Sequence, residues 1–203
     1  MNIALIGVTG RVGSRVLAEL LARGHSVTGI ARSAAGVEPR ASLVVKVADA
    51  NDRAQLAPLL AGHDAAISAT RFISTDAKAL VAALQEARVP RLLVVGGAGS
   101  LEVAPGQALL DSPGFPEAYR AESAAGRAFL EFLRTQTALD WTFLSPSAEF
   151  APGERTGKFR LGGDRLLADV HGKSWISMED FAIALVDELE RPAHSRQRFT
   201  VGY

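Results

Sequence analysis

A chain of 203 residues is long enough for one sizeable core and short for two, so a single domain is expected. Apolar residues at 48% and charged residues at 22% exclude a disordered or fibrous chain, and 22 basic against 22 acidic residues leave no net field to gather nucleic acid or an anionic membrane. The absence of cysteine excludes disulfides, thiolate metal sites and thiol nucleophiles.

The first apolar run, Asn2–Gly7 (NIALIG), reads as a strand ending in glycine, followed by a helix with Val12, Val16, Leu17, Leu20 and Leu21 on one face. Gly24 stops that helix and Ser26–Ala31 gives a second strand, so the first thirty residues form a βαβ unit. The alternation continues with a strand at Leu43–Val47, a helix at Arg53–Leu60, a strand at Ala65–Ala69, a helix at Lys78–Ala87 and a strand at Arg91–Val95. Leu101–Glu117 is rich in Gly and Pro and reads as a long surface loop. Tyr119–Arg134 is a helix, Trp141–Leu144 a sixth strand, and Pro152–Asp164 a Gly-rich turn segment compatible with a hairpin. Phe181, Leu185, Val186 and Leu189 stripe a last helix before a strand at Arg198–Val201.

Strands so uniformly apolar suit a parallel sheet buried on both faces, which predicts a doubly wound α/β domain of the Rossmann type. Residues 1–145 would form its core and 146–203 a small C-terminal segment on the substrate side. A strand starting at Asn2 leaves no room for a signal peptide, and no apolar run reaches the ~18 residues of a membrane span. A cytoplasmic protein is expected, as monomer or homodimer, with neither nucleic acid nor membrane as partner.

Gly7, Gly10 and Gly13 (G-V-T-G-R-V-G) lie where the first strand becomes the first helix. Glycine there permits the tight turn, the approach of backbone to a pyrophosphate and the packing of helix on strand, while free amides at the helix start face the phosphates. Thr9, Arg11 and Val12 belong to the same turn. An NAD site usually carries Asp or Glu at the end of the second strand; here stand Arg32 and Ser33. A guanidinium there suits a 2′-phosphate, so NADP(H) is the expected cofactor with NAD(H) as the alternative.

On these residues the chain resembles the atypical short-chain dehydrogenase/reductases, within them the NADH-flavin reductase-like group related to flavin reductase/biliverdin-IXβ reductase. G-V-T-G-R-V-G is similar to that group's G-A-T-G-x-x-G. The resemblance implies that Asp49 and Ala50 lie near the adenine, that Ala69 and Thr70 cover the adenosine ribose, and that Gly96, Gly97 and Ala98 face the nicotinamide. D-W-T-F-L-S-P at 140–146, P-G-E-R-T-G at 152–157 and I-S-M-E-D-F-A at 176–182 also resemble family segments in order. Many members of the superfamily carry Tyr-x-x-x-Lys as an acid/base pair, whereas Tyr119 is followed four residues later by Ser123.

The implied activity is hydride transfer from NAD(P)H to a small planar acceptor such as a flavin or quinone. Ser145 and Tyr119 are the candidate catalytic side chains, and Pro146 would border the cofactor. A dinucleotide-binding redox sensor of the NmrA-like type is the alternative, and a nucleotide-sugar epimerase a third reading. Arg155, Lys158 and His171 are further polar candidates. Asp164 and Asp169 have no histidines at metal-ligand spacing, so no metal is expected, and no G-x-S-x-G elbow supports a serine hydrolase.

Overall fold

The run Asn2–Ile6 forms strand β1, with Ile3 to Ile6 buried, in the computed structural model, which describes residues 1–203. Helix α1 (Arg11–Ala22) follows and turns Val16, Leu17 and Leu20 inward. Then come β2 (Ser26–Ala31), β3 (Leu43–Val47), α2 (Arg53–Leu60), β4 (Ala65–Ser68), α3 (Ala77–Glu86) and β5 (Arg91–Val95). Beyond β5 lie β6 (Glu102–Ala104), β7 (Gln107–Ala108), α4 (Glu117–Arg134), β8 (Asp140–Pro146), β9 (Glu149–Ala151), β10 (Arg160–Gly162), β11 (Trp175–Ser177), α5 (Met178–Glu190) and β12 (Gln197–Gly202).

Eight strands make one sheet in the order β10-β12-β8-β5-β4-β1-β2-β3, parallel throughout except that β10 runs antiparallel to β12. Its strands are apolar on both faces because both are covered. Ile3 and Leu5 pack under α1 and α5, while Ala4 and Ile6 pack under α2, α3 and α4. The strand order reverses between β1 and β4, so the loops leaving those two strands diverge, which is where an open α/β sheet forms its crevice.

Three segments of the chain fold differently from their expected elements. The edge strand β3 is half open, with Val44 and Val47 54% and 63% exposed, because no strand or helix covers its outer side. Leu101–Glu117 is not a plain loop but carries the small β6–β7 hairpin, and α4 starts two residues before Tyr119. Pro152–Asp164 is no hairpin: β9 pairs parallel with β11, β10 joins the main sheet, and the turn between them is fastened by side chains described below. The C-terminal segment is woven into the sheet, since β12 lies beside β8 in register Thr200↔Ser145 and Val201↔Pro146.

Candidate functional site

Gly7 leaves β1 at φ +89°, a left-handed conformation open to glycine, and a Cβ there would lie 2.6 Å from the Ala69 carbonyl oxygen. The loops after β1 and β4 therefore touch. Gly13 is held as tightly: a Cβ would stand 2.9 Å from the Gly7 carbonyl carbon and nearer still to its oxygen, so α1 packs directly on the strand end. Gly10, between them, is the N-cap of α1 in extended backbone, where a Cβ would meet the Gly7 oxygen at 3.2 Å.

Helices α2, α3 and α5 begin with Asp52, Asp76 and Ser177, each accepting from a first-turn amide. Helix α1 has no such side chain. The amides of Arg11, Val12 and Gly13 thus have no partner in the chain, and the positive end of the helix dipole opens onto the crevice.

That crevice has two lobes sharing Gly10, Ala69, Thr70 and Arg71. The smaller, about 190 Å³, lies above β2 and β3 and is walled by Gly7, Thr9, Arg32, Asp49 and Ala50. Arg32 is exposed and makes no ion pair or hydrogen bond, whereas the Asp49 carboxylate already accepts from the Asn51 amide at 2.9 Å. Asn51 also donates to the Ser74 carbonyl at 2.9 Å and accepts from the Asp76 amide at 2.8 Å, tying the loop after β3 to the loop after β4. The larger lobe, about 460 Å³, spreads toward β5 and α4. Arg11, Val12, Gly96 and Gly97 line it together with Phe72, Glu122, Ser123, Arg127, Phe150 and Met178.

Most of the expected cofactor residues meet in this crevice, but several do not. Gly13 is buried beneath it. Ser33 lies outside and accepts from the Ala35 amide at 3.2 Å. Ala98 and the buried Pro146 line neither lobe. Gly96 is small for a different reason from the one expected: a Cβ would press on the Phe143 ring and lie 2.6 Å from the Leu144 oxygen, so glycine there serves packing against β8.

Both expected catalytic side chains are displaced. Ser145 is wholly buried with its hydroxyl unpartnered, because β8 runs two residues further than expected and stays paired with β12. Tyr119, 65% exposed in the first turn of α4, is not in the crevice wall. Lys158 and His171 are exposed and line neither lobe.

What the sequence reading missed is the α4 side. Glu122 accepts from the Phe72 amide at 2.7 Å and the Ile73 amide at 3.3 Å and sits 3.6 Å from Arg71. Its carboxylate thereby pins the loop after β4 to α4. Small residues allow the approach: a Cβ on Gly99 would lie 2.5 Å from that of Ser123, and one on Gly126 would lie 2.9 Å from the Phe72 ring. Gly126 was the available sequence signal, since a glycine within a helix costs about 1 kcal/mol against alanine and implies a packing reason.

The far wall, near Phe150 and Met178, is fastened by acidic side chains. Glu179 accepts from the Gly153 amide at 2.8 Å, Asp180 from the Thr156 and Gly157 amides at 2.8 and 2.9 Å and from the Tyr203 hydroxyl at 2.7 Å, and Glu19 from both Nε and Nη2 of Arg155 at 3.0 Å. This absorbs Arg155 into structure. Burial alone would raise the pKa of Glu19, but hydrogen bonds from Arg155 and Arg23 outweigh it and hold the carboxyl below its ordinary 4.5. Burial also opposes the downward shift of Glu179, where the Gly153 amide and Arg15 prevail. A depressed folded-state pKa stabilises above the unfolded value and is lost as pH falls through the folded one. Limited proteolysis should accordingly find Pro152–Lys158 protected at neutral pH and cut progressively below about pH 4.5. Equal cutting at both extremes would count against the clamp.

A family model described as NAD(P)H-binding matches residues 7–192. The chain belongs to the NAD(P)H-binding Rossmann family. Among solved structures it is 48% identical to a candidate exported protein of Burkholderia pseudomallei, each chain covered in full, with a TM-score of 0.91. It is 42% identical to a candidate epimerase of Bacteroides thetaiotaomicron, covering 100% of this chain and 96% of that one, with a TM-score of 0.95. A candidate NADH-flavin reductase of Streptococcus pneumoniae is 35% identical over 100% and 99% of the two chains, with a TM-score of 0.83.

The crevice fits the family's dinucleotide on structural grounds, because the uncapped amides of α1 and the unpaired Arg32 are anion-binding groups with nothing in the chain to satisfy them. A Gly10→Val variant should remain folded, since the 3.2 Å contact of its Cβ is relieved by a small shift, yet lose about tenfold or more in NADP(H) affinity as its methyls enter the space between the lobes. Circular dichroism with a cofactor titration checks this, and undiminished affinity would remove Gly10 from the site.

Proposed function

We propose that this NAD(P)H-binding protein is an NADP(H)-dependent reductase of a planar acceptor such as a flavin or quinone. The smaller lobe would hold the adenosine half, with Arg32 on a 2′-phosphate and Asp49 and Ala50 beside the base. The amides of α1 would hold the pyrophosphate, and Gly97 with Thr70 would border the nicotinamide at the mouth of the larger lobe. Reduced nicotinamide, when bound, supplies a hydride.

The larger lobe's lining carries this reading. Its wall contains no His, Lys, Tyr or Asp, and Glu122 is held by two amides and Arg71. Alcohol–ketone chemistry requires a side chain that passes a proton to the substrate oxygen, whereas a flavin accepts hydride at N5 and takes its proton from water. The chain's own contribution is then positioning: Phe72, Phe150 and Met178 offer apolar and aromatic surface to a flat ring, and Glu122 fixes Phe72 in place. The resemblance in name of the Streptococcus pneumoniae protein agrees with this reading, while the Bacteroides thetaiotaomicron name points to epimerisation, which needs the acid/base group the lobe lacks. Following NADPH oxidation with FMN, FAD, a quinone and UDP-sugars tests it. Sustained turnover with flavin or quinone is expected; conversion of a sugar, or binding without turnover, would overturn it.

A further inference from the structure

The larger lobe is more cationic than a neutral ring requires. Three guanidinium groups, those of Arg11, Arg71 and Arg127, line it against the single carboxylate of Glu122, in a chain whose formal charge is zero. Glu122 is already compensated by the Phe72 and Ile73 amides and by Arg71.

Arg11 and Arg71 lie at or beside the junction of the lobes, where a dinucleotide's phosphates account for them. Arg127 does not. It projects from α4 into the larger lobe alone, and only its Nη1 is engaged, by Asp111 at the rim at 2.7 Å. Its Nε and Nη2 remain free, and Ser123, which has no hydrogen-bond partner, lines the same lobe together with Ser100, whose hydroxyl oxygen accepts from Arg198 at 3.4 Å and keeps its proton to donate. A guanidinium with uncommitted donors beside two hydroxyls suits a phosphate, whose oxygens accept several hydrogen bonds at once.

We infer that the acceptor carries a phosphate tail, and that Arg127 with Ser123 and Ser100 forms its subsite. This rests on the reading of the larger lobe as the acceptor's. Asp111 opposes an incoming anion but sits outside the wall, and it pairs with one nitrogen of Arg127, leaving the other edge for the ligand.

FMN and riboflavin share one ring system and differ by a phosphate, so they isolate the subsite. Quenching of flavin fluorescence, titrated in saturating NADP⁺, should show FMN binding about tenfold or more tighter than riboflavin at low ionic strength, with the gap narrowing as salt is added. Arg127→Gln and Arg127→Ala should bring FMN down to the riboflavin level, and NADP⁺ titration of the same variants reports whether the cofactor lobe is intact. Equal affinity for the two flavins, a preference that survives both variants, or no binding of either flavin would overturn the subsite. The outcome separates from that of the reductase reading. Equal reduction of both flavins by NADPH keeps the reductase and removes the subsite, whereas an Arg127-dependent preference without turnover does the reverse.

Discussion

Replacing Gly13 with alanine is expected to lower the melting temperature by about 5–10 °C and to abolish measurable NADP(H) binding. The added Cβ has nowhere to go: it meets the carbonyl of Gly7 inside van der Waals contact, and the neighbour is backbone, not a side chain that could swing aside. Overpacking of this kind costs about 1–3 kcal/mol or more, and each kcal/mol is worth roughly 2–4 °C in a domain of this size. Relief requires moving α1 off β1, and α1 carries the free amides that would face the phosphates. Gly163→Ala is the control, because a Cβ there meets nothing within 4 Å. Differential scanning calorimetry with a cofactor titration reads both effects. A Gly13→Ala protein that binds NADPH as the wild type does would remove the turn from the site.

Arg32→Ala should weaken NADPH binding by about one to two orders of magnitude and leave NADH binding nearly unchanged. A hydrogen bond to a charged group contributes roughly 1.5–3 kcal/mol, and ~1.4 kcal/mol is a tenfold change in affinity. Arg32 has no internal partner to lose, so the whole effect falls on the ligand. Asp49 shares the lobe and would repel a 2′-phosphate, but its carboxylate is turned to the Asn51 amide. Arg32→Lys should keep part of the preference, since it retains the charge and loses the planar fork. Paired titrations decide the matter: equal losses for both cofactors, or a wild-type preference for NADH, would sink the assignment.

The βα alternation and the glycine turn were legible because they are local. Uninterrupted apolar runs mark strands covered on both faces, and glycine at 7, 10 and 13 answers to backbone geometry within one loop. The α4 side of the crevice was not legible. Periodicity identifies the helix over 119–134 but not which polar residues turn toward a loop fifty residues earlier, so Glu122 and Arg127 carried no local signal. Ser145 was misplaced for a similar reason. A Ser-Pro pair reads as a strand end, yet β12, arriving from the far C-terminus, extends the ladder past it and buries it. The supposed hairpin at 152–164 failed because its turn is held by Glu19, Glu179 and Asp180, whose sequence distance hides them.

Anaerobic mixing of the protein with NADPH and FMN, followed in the visible flavin band, tests the reductase assignment most directly. Bleaching of the flavin in step with NADPH oxidation, in catalytic excess over protein and absent with Gly13→Ala, is the predicted result. Tight NADPH binding with the flavin left oxidised, and with quinone likewise untouched, would contradict it and leave a protein that holds the dinucleotide without spending its hydride.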